Sequence, residues 1–242
     1  MLDILPVLAG FFAVAALYGT VGHGGASGYL AWMALLSFAP ESLRPTALVL
    51  NLAVSLLGTV AFYRAGHFRP ALFWPFALAA IPFAWLGGTL HLPPAAFKLL
   101  LAITLSWAAL RLVLPSPAAA DIRPAPLKLS LPLGALMGLV SGLVGVGGGI
   151  FLTPLLILGR WANAKTAAAV SAPFILVNSA AGLAGQSGSL NHLPDFWPAL
   201  VLAVVLGGAL GARWGSTHAR STQLRPALAL VLLVAVAKLA FA

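Results

Sequence analysis

"GTVGHGGASGYLAWM" occupies Gly19–Met33, with apolar sequence on both sides of it. In water a run this rich in glycine is a loop. Here it joins two stretches suited to lipid, and the fold turns on what a glycine run and a histidine do between them. Glycine permits unwound backbone and close approach of that backbone to a ligand.

The surroundings settle the solvent first. Of 242 residues, 61% are hydrophobic and 7% are charged, against about 25% charged in a soluble domain. So few charges cannot cover the surface of a water-soluble core. The four acids are Asp3, Glu41, Asp121 and Asp195, and none falls inside an apolar run. Runs such as 43–62, 71–90 and 127–146 reach about 20 residues, or about 30 Å of helix, the thickness of a hydrocarbon core. The chain reads as an all-α polytopic membrane protein. Its net charge of +9 comes from residues scattered over short loops with no aromatic interleaving, so it signals orientation in a bilayer and not nucleic-acid binding. With no cysteine there is no disulfide and no thiolate metal site; no metal, cofactor or catalytic residue is expected. Leu2–Tyr18 lacks a basic leader and reads as a retained first helix.

The pattern repeats. Gly22, Gly24 and Gly25 recur as Gly145, Gly147 and Gly148, and Trp74-Pro75 recurs at the same offset as Trp197-Pro198. Lys98 and Arg111 recur as Arg225 and Lys238 after a short insertion. The segment "PSPAAADIRPAP", Pro115–Pro126, separates the copies. The expected organisation is a first repeat over 1–114, a linker over 115–126 and a second repeat over 127–242. Each repeat reads as about five apolar segments: 2–21, 26–39, 45–63, 70–90 and 94–112, then 128–145, 148–159, 163–185, 195–216 and 223–241. The second segment of each is short for a span, about 20 Å of helix.

Basic residues arbitrate the topology. If each short segment completes a crossing, one side receives Arg64, Arg69, Arg111, Arg123, Lys128, Arg160, Lys165, Arg213, Arg220 and Arg225. The other receives only Arg44, Lys98 and Lys238. If the short segments return to the side they came from, this bias vanishes. The bias favours crossing, which makes the repeats inverted, the linker cytoplasmic and both termini non-cytoplasmic in a cell (inner) membrane.

Both glycine runs, "VGHGGASG" and "VGVGGGIF", fall where a long segment ends and a short one begins. The short helix then starts with free N–H groups and about half a positive charge of dipole, which favours an anion. Two such ends brought together would make one anion site near the midplane. No span carries a carboxylate for a cation, whereas hydroxyl and amide donors are present. The candidate substrate-binding residues are Gly22, His23, Gly24, Gly25, Ser27, Asn51, Ser55, Gly145, Gly147, Gly148, Gly149, Ser171 and Asn178. Each has a packing counter-reading: close helix contact for the glycines, a back-bond to the residue's own helix for the hydroxyls, interhelical bonding for the asparagines. His23 can donate a hydrogen bond to an oxyanion or carry a proton with it. The remaining histidines, His67, His91, His192 and His218, fall at segment ends.

"GTVGHGGASGYL", "SGLVGVGGGIFLTPLL" and "AKTAAAVSAPFILVNSAAGL" together resemble the sulfite exporter TauE/SafE family, over nearly the whole chain. The resemblance implies a two-repeat permease for small sulfur-containing anions such as sulfite, thiosulfate or sulfonates. The partners are then a small anion and the lipid bilayer; the sequence sets no oligomeric state. A passive anion channel or an accessory membrane protein is the alternative. An intramembrane serine protease fits the "GASG" of Gly25–Gly28 with Ser27 as nucleophile, but such an enzyme needs a histidine base on another helix, and His23 is in the same turn.

Overall fold

The computed structural model describes residues 4–113, 122–186, 188–218 and Leu233, Val236 and Ala237. Nine α-helices and one 3-10 turn, Ser189–His192, make up the described chain, with no strand among the described residues. The helices are α1 Ile4–Gly19, α2 Ala26–Leu35, α3 Pro40–Arg64, α4 Pro70–Thr89, α5 Pro94–Val113, α6 Leu127–Val144, α7 Gly149–Leu158, α8 Ala164–Gly185 and α9 Trp197–His218. The expected tenth segment, 223–241, lies almost wholly outside the described residues. Five helices, α3, α4, α6, α8 and α9, are long and apolar enough to cross a membrane. Leu78 and Leu86 on α4 and Leu202, Leu206 and Leu210 on α9 point outward, as side chains facing lipid do.

Helix starts follow local chemistry. Proline at the first helical position opens α3, α4 and α5, where its missing N–H costs nothing. The start of α3 at Pro40, and not near 45, brings Glu41 and Arg44 inside a span. Sequence patterning left both residues in a loop. Glu41 lies in the first turn of α3, where the helix dipole favours a carboxylate.

α2 and α7 are ten residues each, about 15 Å long and half of a hydrocarbon core. They do not cross. α2 folds back along α1: the Ser27 hydroxyl donates to the Tyr18 hydroxyl, Tyr29 stacks on Phe11, and the Trp32 indole donates to the Val7 carbonyl. The second hairpin is built likewise, with the Arg123 N–H ahead of α6 donating to the Arg160 carbonyl after α7. Each hairpin returns the chain to the end it entered by. This corrects the expectation that each short segment completes a crossing: the short segments are half-helices, not spans. Arg64, Arg69, Arg123, Lys128, Arg160 and Lys165 flank the helix termini at one end. There Phe68, Ala125 and Trp161 pack in one cluster.

The two half-helices also stop alike. Ser37 and Arg160 are the non-glycine residues with positive φ among those described, 59° and 57°. Each follows its helix in a Schellman turn: Phe38 N–H bonds the Met33 carbonyl, and Trp161 N–H bonds the Leu156 carbonyl.

Packing between the long helices is most extensive for α4 on α6 and for α1 on α9. Gly134, Gly138 and Gly142 lie against the backbone carbonyls of Phe76, Ala80 and Ala84. Gly207, Gly211 and Gly215 lie against those of Phe12, Ala16 and Thr20. A Cβ at any of the six would overlap main chain, so these glycines serve the small-residue packing that membrane helices use. α3 and α8 pack on each other between the two pairs.

Candidate functional site

Both glycine runs leave their helices through left-handed backbone. Gly22 (φ 71°) and Gly25 (φ 95°) bracket the first turn; Gly145 (86°), Gly147 (73°) and Gly148 (80°) form the second. A side chain in this region costs about 1–2 kcal/mol, which explains why glycine stands at these positions. The runs start at opposite ends of the molecule and meet in its middle. Gly22 lies against Ala168 near the start of α8, and Gly145 lies against Arg44 near the start of α3.

They meet at Asn51. Its Oδ1 accepts from the Ala26 N–H, the first of α2, at 3.2 Å. Its Nδ2 donates to the Val146 carbonyl of the other turn at 3.4 Å and to the Ser179 hydroxyl at 3.2 Å. Asn51 is 0% exposed, and its amide staples the two turns to α8. A Cβ on Gly24 or on Gly147 would overlap that amide, and both would also press on Ile175. Gly149 packs on Ile175 as well, near Ser171.

The first turns of both half-helices therefore converge on the middle of α3 and α8. In α2 the Tyr29 N–H is taken by the Gly25 carbonyl and that of Ala26 by Asn51, which leaves those of Ser27 and Gly28 without an intrahelical acceptor. In α7 the Phe151 and Leu152 N–H groups return to the Gly148 carbonyl, which leaves Gly149 and Ile150. No side chain caps either helix except through the Asn51 amide. Two positive dipole ends face one region that holds no acid among the described residues.

The other candidates divide. Ser171, 0% exposed, accepts from the Thr153 hydroxyl at 2.7 Å, which ties α7 to α8. Ser27 donates to the Tyr18 hydroxyl, and no histidine bonds it among the described residues. Ser55 back-bonds to the Leu52 carbonyl in its own helix. His23 is half-buried; its Nδ1 contacts the Val21 carbonyl at 3.0 Å and its ring meets Tyr18 edge-on. Asn178 spends its Nδ2 on the Phe174 carbonyl.

Arg44 was not legible as a structural residue. Its guanidinium donates to the carbonyls of Gly87, Gly88 and Leu90 at the end of α4, and to Gly142 near the end of α6 at 2.7 Å. Helix C-termini carry the negative end of the dipole, so one cation ties α3 to two of them. Its closeness to the start of a span made it look like a loop charge.

Two hairpins whose half-helices begin at one central point, in an all-helical membrane protein, suit a solute site buried at membrane depth, where unwound backbone is tolerated only against protein or a cavity. The chain belongs to the sulfite exporter TauE/SafE family, whose model matches residues 7–239. It is 39% identical over 247 residues to the "Probable membrane transporter protein y4hK" of Sinorhizobium fredii (strain NBRC 101917 / NGR234), covering 98% of both chains. No solved structure matches it. The protein is a multi-pass membrane transporter and not an enzyme.

Proposed function

We propose that this transporter moves a small sulfur-containing anion, such as sulfite, thiosulfate or a sulfonate, bound where the two half-helices begin. The observation that carries this is the convergence of the α2 and α7 N-termini on Asn51. The glycines at 22, 24, 25, 145, 147, 148 and 149 let backbone N–H groups reach the anion. Asn51 positions both turns, Ser171 holds α7 in place, and Asn178 faces the second turn. His23, in the first turn, donates to the anion or carries a proton with it in this reading.

The repeats, 1–114 and 127–242 joined by 115–126, are related by inversion in this proposal. Support comes from the matched half-helices, the paired turns at Ser37 and Arg160, and the partner exchange that sets α1 on α9 as α4 is set on α6. The basic end faces the cytoplasm of the inner membrane, and both termini face outward. Export is the favoured direction. A negative interior drives one negative charge outward by about 2.3 kcal/mol per 100 mV, and the carboxylate that a described span carries, Glu41, is in the first turn of α3, about 15 Å of helix from Asn51, too far to form a relay that couples uptake to a cation at the site. Proton-coupled uptake would fall to His23.

Flux in proteoliposomes tests this. Sulfite, thiosulfate, methanesulfonate and chloride are compared with and without an imposed voltage. The expected result is saturable flux of the sulfur anions that rises with an outward-driving voltage. Chloride flux equal to that of the sulfur anions, without saturation, would establish a passive channel instead.

A further inference from the structure

Asn178 and Ser141 lie beside the second turn with polar atoms unused. Both residues are 0% exposed, and Asn178 Oδ1 and Ser141 Oγ have no hydrogen-bond partner among the described residues. The Asn178 amide cannot be turned to cure this. Its Nδ2 donates to the Phe174 carbonyl at 2.8 Å, and a flip would set oxygen against oxygen. A buried acceptor left unpaired is costly, and most such atoms in native proteins have a partner.

Both atoms belong to the region the glycine turn covers. A Cβ added to Gly147, Gly148 or Gly149 would meet Ser171, Phe174, Ile175 or Ser179 of α8, so the turn is against these residues. These are i, i+3, i+4 and i+8 on one helical face, and Asn178, at i+7, is at the centre of that face. Gly148 also approaches the Met137 carbonyl of α6. Ser141 is one turn beyond Met137, as Asn178 is one turn beyond Phe174. Ser141 and Asn178 thus face the turn from two helices, next to the open N–H groups of Gly149 and Ile150.

We propose that this cradle selects an oxyanion that itself carries a hydrogen-bond donor. The anionic oxygens face the N–H groups of α7, and the donor on the ligand meets Asn178 Oδ1, with Ser141 beside it. A singly protonated oxyanion, hydrogensulfite among the sulfur anions, has both features; a fully ionised oxyanion or an alkyl sulfonate has only the first. The proposal rests on the anion site above and names its specificity.

Sulfamate and methanesulfonate are the probes, because they differ only in NH2 against CH3 on the same sulfonate head. The purified protein in detergent should bind sulfamate about tenfold more tightly than methanesulfonate, the worth of one buried hydrogen bond to a group otherwise unsatisfied. Asn178→Val should bring the two affinities level, with the larger loss on sulfamate. Counting from the first residue of each helix, Pro40 and Ala164, the residue of α3 that corresponds to Asn178 is Val54, itself buried. Valine therefore has a precedent in such a helix. Ser141→Ala, which removes one atom, provides a second variant and should narrow the preference for sulfamate. Equal wild-type affinities, or a preference that survives both substitutions, would overturn the assignment of Asn178 while leaving the anion site standing. Absence of binding by either probe would overturn both.

Discussion

Gly147 and Gly66 form a matched pair for testing the central staple. Both have left-handed backbone, φ 73° and 75°. A Cβ on Gly66, in the connection between α3 and α4, meets nothing within 4 Å. A Cβ on Gly147 overlaps the Asn51 Nδ2 and comes within 2.8 Å of Ile175 and 2.9 Å of the Ser179 hydroxyl. Gly66→Ala then carries only the conformational cost, about 1–2 kcal/mol. Gly147→Ala adds overpacking of about 1–3 kcal/mol, for a total of about 2–5 kcal/mol. Function should separate the variants further. Displacing the Asn51 amide breaks its bonds to Val146 and Ser179 and pulls Oδ1 from the first N–H of α2, so both turns lose their common anchor. Equilibrium unfolding in mixed micelles gives the stabilities, and anion flux in proteoliposomes gives the function. Gly66→Ala should keep its flux, whereas Gly147→Ala should lose at least nine-tenths of it, about 1.4 kcal/mol or more in rate terms. Equal stability losses with equal flux would refute a steric centre at Asn51 and leave Gly147 as a simple turn residue.

Three further outcomes are expected. Asn51→Leu deletes three hydrogen bonds inside the membrane, at about 0.6–2 kcal/mol each, and should cost about 2–6 kcal/mol of unfolding free energy in mixed micelles together with flux. Arg44→Met should destabilise by about 2–4 kcal/mol, because four carbonyls at two helix ends lose a charged donor, and Arg44→Lys should recover only part of this, since an ammonium lacks the guanidinium's fork; micelle unfolding reads both. Reporter fusions should give a cytoplasmic signal near Ala119 and an external one at Ala242, and a cytoplasmic signal at Ala242 would refute the inverted arrangement.

Hydropathy alone revealed the spans, because burial in lipid leaves an unbroken apolar run whatever the tertiary fold. The breaks before α2 and α7 were equally visible, since only glycine accepts the φ that Gly25 and Gly148 adopt. The direction of the chain after each break was not visible. Whether α2 continues past α1 or doubles back depends on Tyr29 finding Phe11 and Trp32 finding Val7, contacts that no local pattern encodes. The charge argument assumed that each short segment crosses, whereas α2 and α7 are half-helices; a returning hairpin and a pair of crossings leave the following loops on the same sides, so the expected orientation rests on the charges alone. At the site, Asn51 was marked by its apolar neighbours, but its division between Ala26, Val146 and Ser179 depends on three distant segments. Arg44 was missed for the same reason: the carbonyls it binds are brought to it by α4 and α6. Ser141 gave no signal beyond a hydroxyl in a helix, where a back-bond is the ordinary expectation.

The glycine-on-carbonyl contacts determine which parts of the molecule can move as one. Where Gly134, Gly138 and Gly142 of α6 meet α4, and where Gly207, Gly211 and Gly215 of α9 meet α1, main chain rests on main chain, so no rotamer change can cushion a relative shift. Each pair is a stiff strut, and each strut joins one helix from the first half of the chain to one from the second. A hinge drawn at the linker would have to tear both struts. α4 rests on α8 in the same way, through Gly88 on the Gly182 carbonyl and Gly185 on the Trp85 carbonyl, so the stiff units cross from one half of the chain to the other, and the boundary in the gene is not the boundary in the packing.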